Sequence, residues 1–280
     1  MIVINILSLF SNIGISEALL DKDKFNVVIA NEIDEKRVDI YKNIYPETNM
    51  IKGDIRKEEI KKNIINKSIE KNVDIIFVTP PCQGMSTAGK MNKLDERNLL
   101  ICDAIEIVNK VSPNYILIEN VPGMLDTIIT VDGKDYTIGE YIKTSLEESY
   151  SIEYKIINMY DYGVPQSRER VIFLITKKGI SRKWEFPSII KKRSNLNNAI
   201  GHLPILDPYI YDIPEKDMLK IFPTYHERKE KALSISKWHK PPKHVRRQVE
   251  VMLRTPTGKS AFQNKNSFLP RKKEIGRAHV

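Results

Sequence analysis

The chain has 280 residues, of which 41% are hydrophobic and 29% charged, and its 45 lysines and arginines outnumber 36 aspartates and glutamates for a net charge of +9. These proportions exclude wholesale disorder, collagen and coiled-coil arrays, and the length is ample for a buried core. Two cysteines exclude a disulfide framework and a cysteine zinc site, and the five histidines show no ligand spacing.

The first predicted strand, residues 2–10, has no basic region before it and breaks at Ser11-Asn12. It is too short for a signal or membrane helix, so a reducing, cytoplasmic setting is expected. The turn that follows reads LSLFSNIGIS (7–16). Gly14 can supply a tight bend, and a helix over 14–20 would offer unpaired N–H groups to a ligand. Asn12 occupies the first glycine position of G-x-G-x-x-G and Ile15 follows Gly14, which disfavours a pyrophosphate-binding dinucleotide site.

A second strand over 26–31 ends at Asn31-Glu32, whose carboxylate can accept ribose hydroxyl protons, and a helix follows over 35–44. Gly53-Asp54-Ile55 then places a carboxylate where it can take an adenine amino group. Singly, each of these residues also serves as a turn or a cap. Together, in order and at strand ends, they favour an adenosine-bearing cofactor.

After a helix over 57–70 comes VDIIFVTPPCQGMSTAG (73–89), a buried strand whose exit is stiffened by Pro80-Pro81 and which presents Cys82 at its carboxyl edge. Cys102 sits among helical apolar neighbours in the predicted helix 98–111 and reads as a core residue. YILIENVPG (115–123) closes another strand, 114–119, with Glu119, a possible general acid. Beyond a helix over 138–149 and a strand over 152–159, QSRERVIF (166–173) sets Arg168 and Arg170 at the amino side of the strand 171–176. A reactive cysteine needs thiolate character from such positive charge, although each of these residues also has a structural reading. Apolar strands alternating with helix-length segments predict an α/β fold, a doubly wound, Rossmann-like, mostly parallel sheet.

After Lys178 the rhythm stops, and the domain boundary is placed at 178/179. Residues 1–180 carry 23 basic and 27 acidic groups, net −4, whereas 181–280 carry 22 and 9, net +13. HKPPKHVRRQ (239–248) and LPRKK (269–273) suit phosphate contacts, the alternative being a solvated surface or tail. TPTGKS (255–260) is not a phosphate-binding loop, since Leu253 stands where the first glycine belongs.

LFSNIG (9–14), NEID (31–34), GDI (53–55), PPCQGMS (80–86), ENVPG (119–123) and DYGVPQSRERVIFL (161–174) occur in one order across residues 1–178. In this the chain resembles the DNA (cytosine-5) methyltransferases, which use S-adenosylmethionine on double-stranded DNA. The resemblance implies the methyltransferase version of the fold for 1–178 and a partial, smaller, irregular target-recognition region over 179–274. It implies that Cys82 attacks carbon 6 of a flipped-out cytosine, that Glu119 protonates ring nitrogen 3, that Arg170 holds the carbonyl oxygen and that Arg168 supports the site near Cys82. It implies cofactor contacts from Phe10 on the adenine, Glu32 on the ribose and Asp54 on the adenine amino group, with Asn12, Gly14, Ile33, Ile55 and Pro80 completing the pocket. Gln83, Ser86 and Arg97 would contact DNA. No metal, no membrane, a monomer and the modification half of a restriction system with a cognate endonuclease complete the expectation.

Two other readings are carried: the tRNA-methylating branch of the family, which typically continues proline-cysteine-glutamine differently from GMSTAG, and a non-catalytic DNA-binding relic. The family's two closing motifs are not found, and EIGRAHV (274–280) is what GAG ATC GGA AGA GCA CAC GTC encodes, which resembles a sequencing adapter. The natural gene is therefore expected to continue, with 275–280 not native.

Overall fold

The computed structural model describes residues 3–85, 95–190, 194–256 and 259–264. Ser86, the basic run 269–273 and the 275–280 tail lie outside these residues. The chain divides into two compact units, 1–194 and 195–280.

In the first unit the elements are β1 (Ile4–Leu9), β2 (Phe25–Glu32), α1 (Glu35–Ile44), β3 (Asn49–Lys52), α2 (Glu58–Glu70), β4 (Ile75–Val78), α3 (Leu100–Val111), β5 (Tyr115–Asn120), β6 (Ile128–Val131), β7 (Lys134–Thr137), α4 (Ile138–Leu146), β8 (Tyr150–Asn158) and β9 (Glu169–Lys177). Seven strands form one sheet in the order β3-β2-β1-β4-β5-β9-β8. The first five run parallel, and β9 is antiparallel to both β5 and β8.

Alternation along the strands buries both faces. Leu7, Leu9, Ile76, Val78, Ile116 and Ile118 join the core that includes Ile64 of α2, Ile101 and Ile105 of α3 and Ile142 of α4. Ile6, Ile75 and Phe77 point the other way, into a cluster with Trp184. Buried residues of α3 fall at positions 100, 101, 104, 105, 107 and 108, the spacing of one helix face. The α4 amino terminus is fixed by a reciprocal cap, in which the Thr137 hydroxyl accepts the Glu140 N–H and the Glu140 carboxylate accepts the Thr137 N–H. Residues just beyond β9 stay with this unit. The Trp184 N–H donates to Thr176 Oγ1 at 3.0 Å, and its ring meets Tyr115 edge-on at 5.8 Å.

The helix expected over 14–20 does not form. That stretch is a run of turns closed by i→i+3 bonds such as Leu20 N to Glu17 O. The reason lies in which side chains face inward: Glu17 is buried, while Leu19 and Ile15 are 99% and 70% exposed, the reverse of what an amphipathic helix would present.

The second unit is small: α5 (Leu196–Ile200), β10 (Tyr209–Ile210), α6 (Glu215–Ile221), α7 (Tyr225–Ile235), β11 (Lys243–His244) and α8 (Arg246–Leu253). Ile210, Met218, Tyr225 and Val249 form its core, and Arg228 binds Asp207 at 2.8 Å. Short helices thus occupy a region where no regular period was legible. In α7 only Tyr225 and Ala232 are buried, too few to leave a periodic signal.

Candidate active site

The described residues singled out in the sequence gather at the carboxyl ends of β1 to β5, where an open α/β sheet leaves its crevice, with Arg168 and Arg170 at the amino end of β9. A cavity of about 320 Å³ lies there, lined by Phe10, Asn12, Glu32, Ile33, Asp54, Ile55, Gln83 and Arg97 among others. Six of the eight expected cofactor contacts share this wall; Gly14 and Pro80 lie off it.

The turn after β1 is held in an unusual backbone. Phe10 and Asn12 have φ of 58° and 54°, the left-handed region that costs a residue with a Cβ about 1–2 kcal/mol. Contacts from β2 stabilise it: the Ser11 N–H donates to Asn31 O at 2.9 Å and the Asn12 N–H to Glu32 Oε2 at 3.0 Å. Glu32 Oε1 accepts the Ile33 and Asp34 N–H groups at 2.9 Å each. One acceptor position on Oε2 therefore remains for a hydroxyl donor. The Asn31 side-chain amide, which the sequence reading passed over, ties β2 to the next strand exit by donating to Ile51 O and Gly53 O.

Asp54 is held by Arg56, whose guanidinium reaches both carboxylate oxygens, the nearer at 2.6 Å. That pairing, foremost, keeps the Asp54 carboxyl below the usual carboxylate range. Arg56 also lines the cavity, with Arg37, Thr79 and Leu100, all unmarked in the sequence reading. Apolar walls (Phe10, Ile33, Ile55, Leu100) and two carboxylates at separate places fit an adenosine with a polar ribose edge.

Cys82 follows the buried Pro80 and is itself half-buried, its carbonyl accepting the Met85 N–H at 3.0 Å. The loop is anchored from β5, where the Asn120 side chain donates to Pro80 O at 3.0 Å. Gln83 meets the Arg97 guanidinium, which also grips Asp95 at 2.5 Å. Burial pushes the Cys102 thiol up, against a hydrogen bond to Tyr141.

Because β9 is antiparallel, its amino end lies beside the carboxyl end of β5, with Glu119 opposite Ile172. This register brings Arg170 onto Glu119, Nε to Oε1 at 2.8 Å. Burial pushes the Glu119 carboxyl above the usual carboxylate range, opposed by the charge of Arg168. The Arg168 backbone is pinned by its N–H donating to Asn158 Oδ1 at 3.2 Å.

The family described as C-5 cytosine-specific DNA methylase matches residues 4–277. The chain is 37% identical over 263 residues to the Type II methyltransferase M1.HgaI of Avibacterium volantium, covering 92% of this chain and 67% of that protein. It is 34% identical over 202 residues to the Type II methyltransferase M.FnuDI of Fusobacterium nucleatum, covering 71% of this chain and 55% of that one. A solved E. coli protein, assigned as a prophage-encoded DNA modification methyltransferase, superposes with a TM-score of 0.59 at 25% identity, covering 75% of this chain and 58% of its own. The chain thus spans between about half and two thirds of the lengths of these three. With most of its length matched, it belongs to the C-5 cytosine-specific DNA methylases.

Proposed function

We propose that this chain carries the catalytic machinery of a DNA cytosine-5 methyltransferase, the modification enzyme of a restriction system, working as a monomer on double-stranded DNA beside a cognate endonuclease. The observation that carries the reading is the meeting of the Cys82 loop with Glu119 and Arg170 at the ends of neighbouring strands, bridged by the Asn120 to Pro80 bond, next to the cavity.

Cytosine is unreactive at carbon 5 until a nucleophile adds at carbon 6, and it must leave the base stack to be reached. Cys82 attacks as thiolate: the S–C6 bond forms, the C5=C6 π pair moves onto carbon 5, and negative charge develops toward ring nitrogen 3. Glu119, holding its proton to higher pH than a solvated carboxyl because it is buried, donates it to that nitrogen. Arg170 orients Glu119 through its Nε–H, which donates to Glu119 Oε1, and presents its remaining donors to the base carbonyl, with Arg168 beside them.

Glu32, Asp54, Phe10 and the neighbouring apolar residues would hold S-adenosylmethionine, with Asn12, Ile33 and Ile55 on the same wall and Gly14 and Pro80 supporting it from outside the cavity. When bound, this cofactor supplies the electrophilic methyl group that the activated carbon 5 accepts. A solvent base takes the carbon 5 proton, the double bond re-forms as the Cys82 thiolate leaves, and ring nitrogen 3 returns its proton to Glu119. Gln83, Ser86 and Arg97 serve the DNA side.

The test is transfer of labelled methyl from S-adenosylmethionine to genomic DNA by the natural gene product carrying this chain. Label in 5-methylcytosine that vanishes in Cys82→Ser supports the reading. Label in N4-methylcytosine or in tRNA, or a Cys82→Ser variant with full activity, overturns it.

A further inference from the structure

The turn after β1 has no glycine at positions 10 and 12, where φ is positive, and Tyr41 of α1 together with Tyr45 just past its end hold it instead. The Tyr45 hydroxyl donates to the Gly14 carbonyl at 2.7 Å. Its ring lies against the Gly14 Cα so closely that a Cβ there would sit 2.1 Å from Tyr45 Cε2 and 3.0 Å from Tyr41 Cε2. Gly14 has φ +83°, so a side chain is excluded by conformation as well as by space. Tyr41 is fully buried and braces Tyr45, with ring centroids 4.8 Å apart.

The Gly14 peptide is therefore fixed from outside the cavity, while Phe10 and Asn12, four and two residues earlier, line it. Phe10 is the strained residue, since Asn12 tolerates this region better, and strain of this kind persists only when surrounding contacts over-determine it. Glu32 fixes the turn at Asn12, and Tyr45 fixes it at Gly14.

We propose that Tyr45 is a positioning residue for cofactor binding: its hydroxyl and ring, seated on Gly14, hold the turn that carries Phe10 and Asn12 in the shape that receives S-adenosylmethionine. This rests on the functional reading above, and it assigns to Tyr45 a role that depends on no contact with the cofactor.

Two measurements on the natural gene product test it, comparing wild type with Tyr45→Phe, which keeps the ring and removes only the hydroxyl. The first is hydrogen exchange of residues 11–16 without ligand. The second is the dissociation constant of S-adenosylmethionine, by equilibrium dialysis. The expected result is faster exchange in the turn and cofactor binding weakened about fivefold, the factor that one neutral hydrogen bond is worth. In turnover, KM for S-adenosylmethionine should rise by a similar factor, with kcat at saturation and KM for DNA moving less than about twofold. Gly14→Ala, which forces the ring aside, should weaken binding further.

Unchanged exchange with unchanged affinity overturns the inference alone, as does faster exchange with unchanged affinity. A wild-type protein that binds no S-adenosylmethionine overturns the functional reading, and this inference with it.

Discussion

Glu17 is buried in the turn after β1, and among the described residues neither of its carboxylate oxygens closes a hydrogen bond, nor does the buried Tyr41 hydroxyl near it. Burial pushes the Glu17 carboxyl above its ordinary value of 4.5, with Ser8 and Tyr41 opposing. A carboxyl raised on folding leaves stability intact below its unfolded pKa and drains it as pH rises through the folded one. Glu17→Gln, which stays neutral, is therefore expected to match wild type near pH 4 and to be progressively more stable above it. Urea denaturation at several pH values checks this; a pH-independent difference would contradict it. Asn120 makes a second case. Its side chain donates to Pro80 O and accepts the Val121 N–H, holding the loop that carries Cys82, so Asn120→Ala should cut methyl transfer by about 10- to 100-fold while S-adenosylmethionine affinity holds. Cys82 and Glu119 could be singled out as candidates because proline-proline-cysteine and a strand ending in Glu-Asn are local patterns. Asn120 was not singled out, because its partner lies 40 residues away and only the parallel pairing of β4 with β5 brings the two together.

At the scale of elements, α2 and α3 are joined by Lys61, whose side chain is only 6% exposed and which meets Asp103 at 3.0 Å and Glu106 at 2.5 Å. Burial alone would lower the Lys61 pKa, but the two carboxylates overcome it and hold the amine charged. Lys61→Met leaves Asp103 in its partly buried place without this cation. The expected loss is about 2 kcal/mol, less than for a fully buried pair because Glu106 is half exposed. Chemical denaturation measures it; an unchanged midpoint would show that the pair contributes nothing. The strands β1, β2, β4, β5, β8 and β9 and the helices α1 to α4 were readable from their periodicity. Three things were not. The four residues of β3 are too few to show a period. The β6–β7 hairpin carries Asp132-Gly133, both at positive φ, a turn signal that stood in the sequence and was passed over. The direction of β9 is the third: strand periodicity is the same for either direction, yet only the antiparallel choice brings Arg170 to Glu119.

Over the whole molecule, the charge of +9 divides into −4 for residues 1–180 and +13 for 181–280. If the basic portion grips the DNA backbone, affinity for DNA should fall by roughly tenfold or more between about 50 and 200 mM salt, through counterion release. If short-range contacts in the cavity hold S-adenosylmethionine, its affinity should change little. Equal salt sensitivity of the two would contradict this division of labour. The central claim is that Cys82 forms a bond to the target base. Fluorine at carbon 5 cannot be lost as the proton is, so a duplex with 5-fluorocytosine at the mapped target should leave the enzyme joined to DNA after methyl transfer. Mass spectrometry of the digested complex is predicted to find the nucleotide on the peptide containing Cys82. A complex that turns over without an adduct, or an adduct on Cys102, would contradict the account.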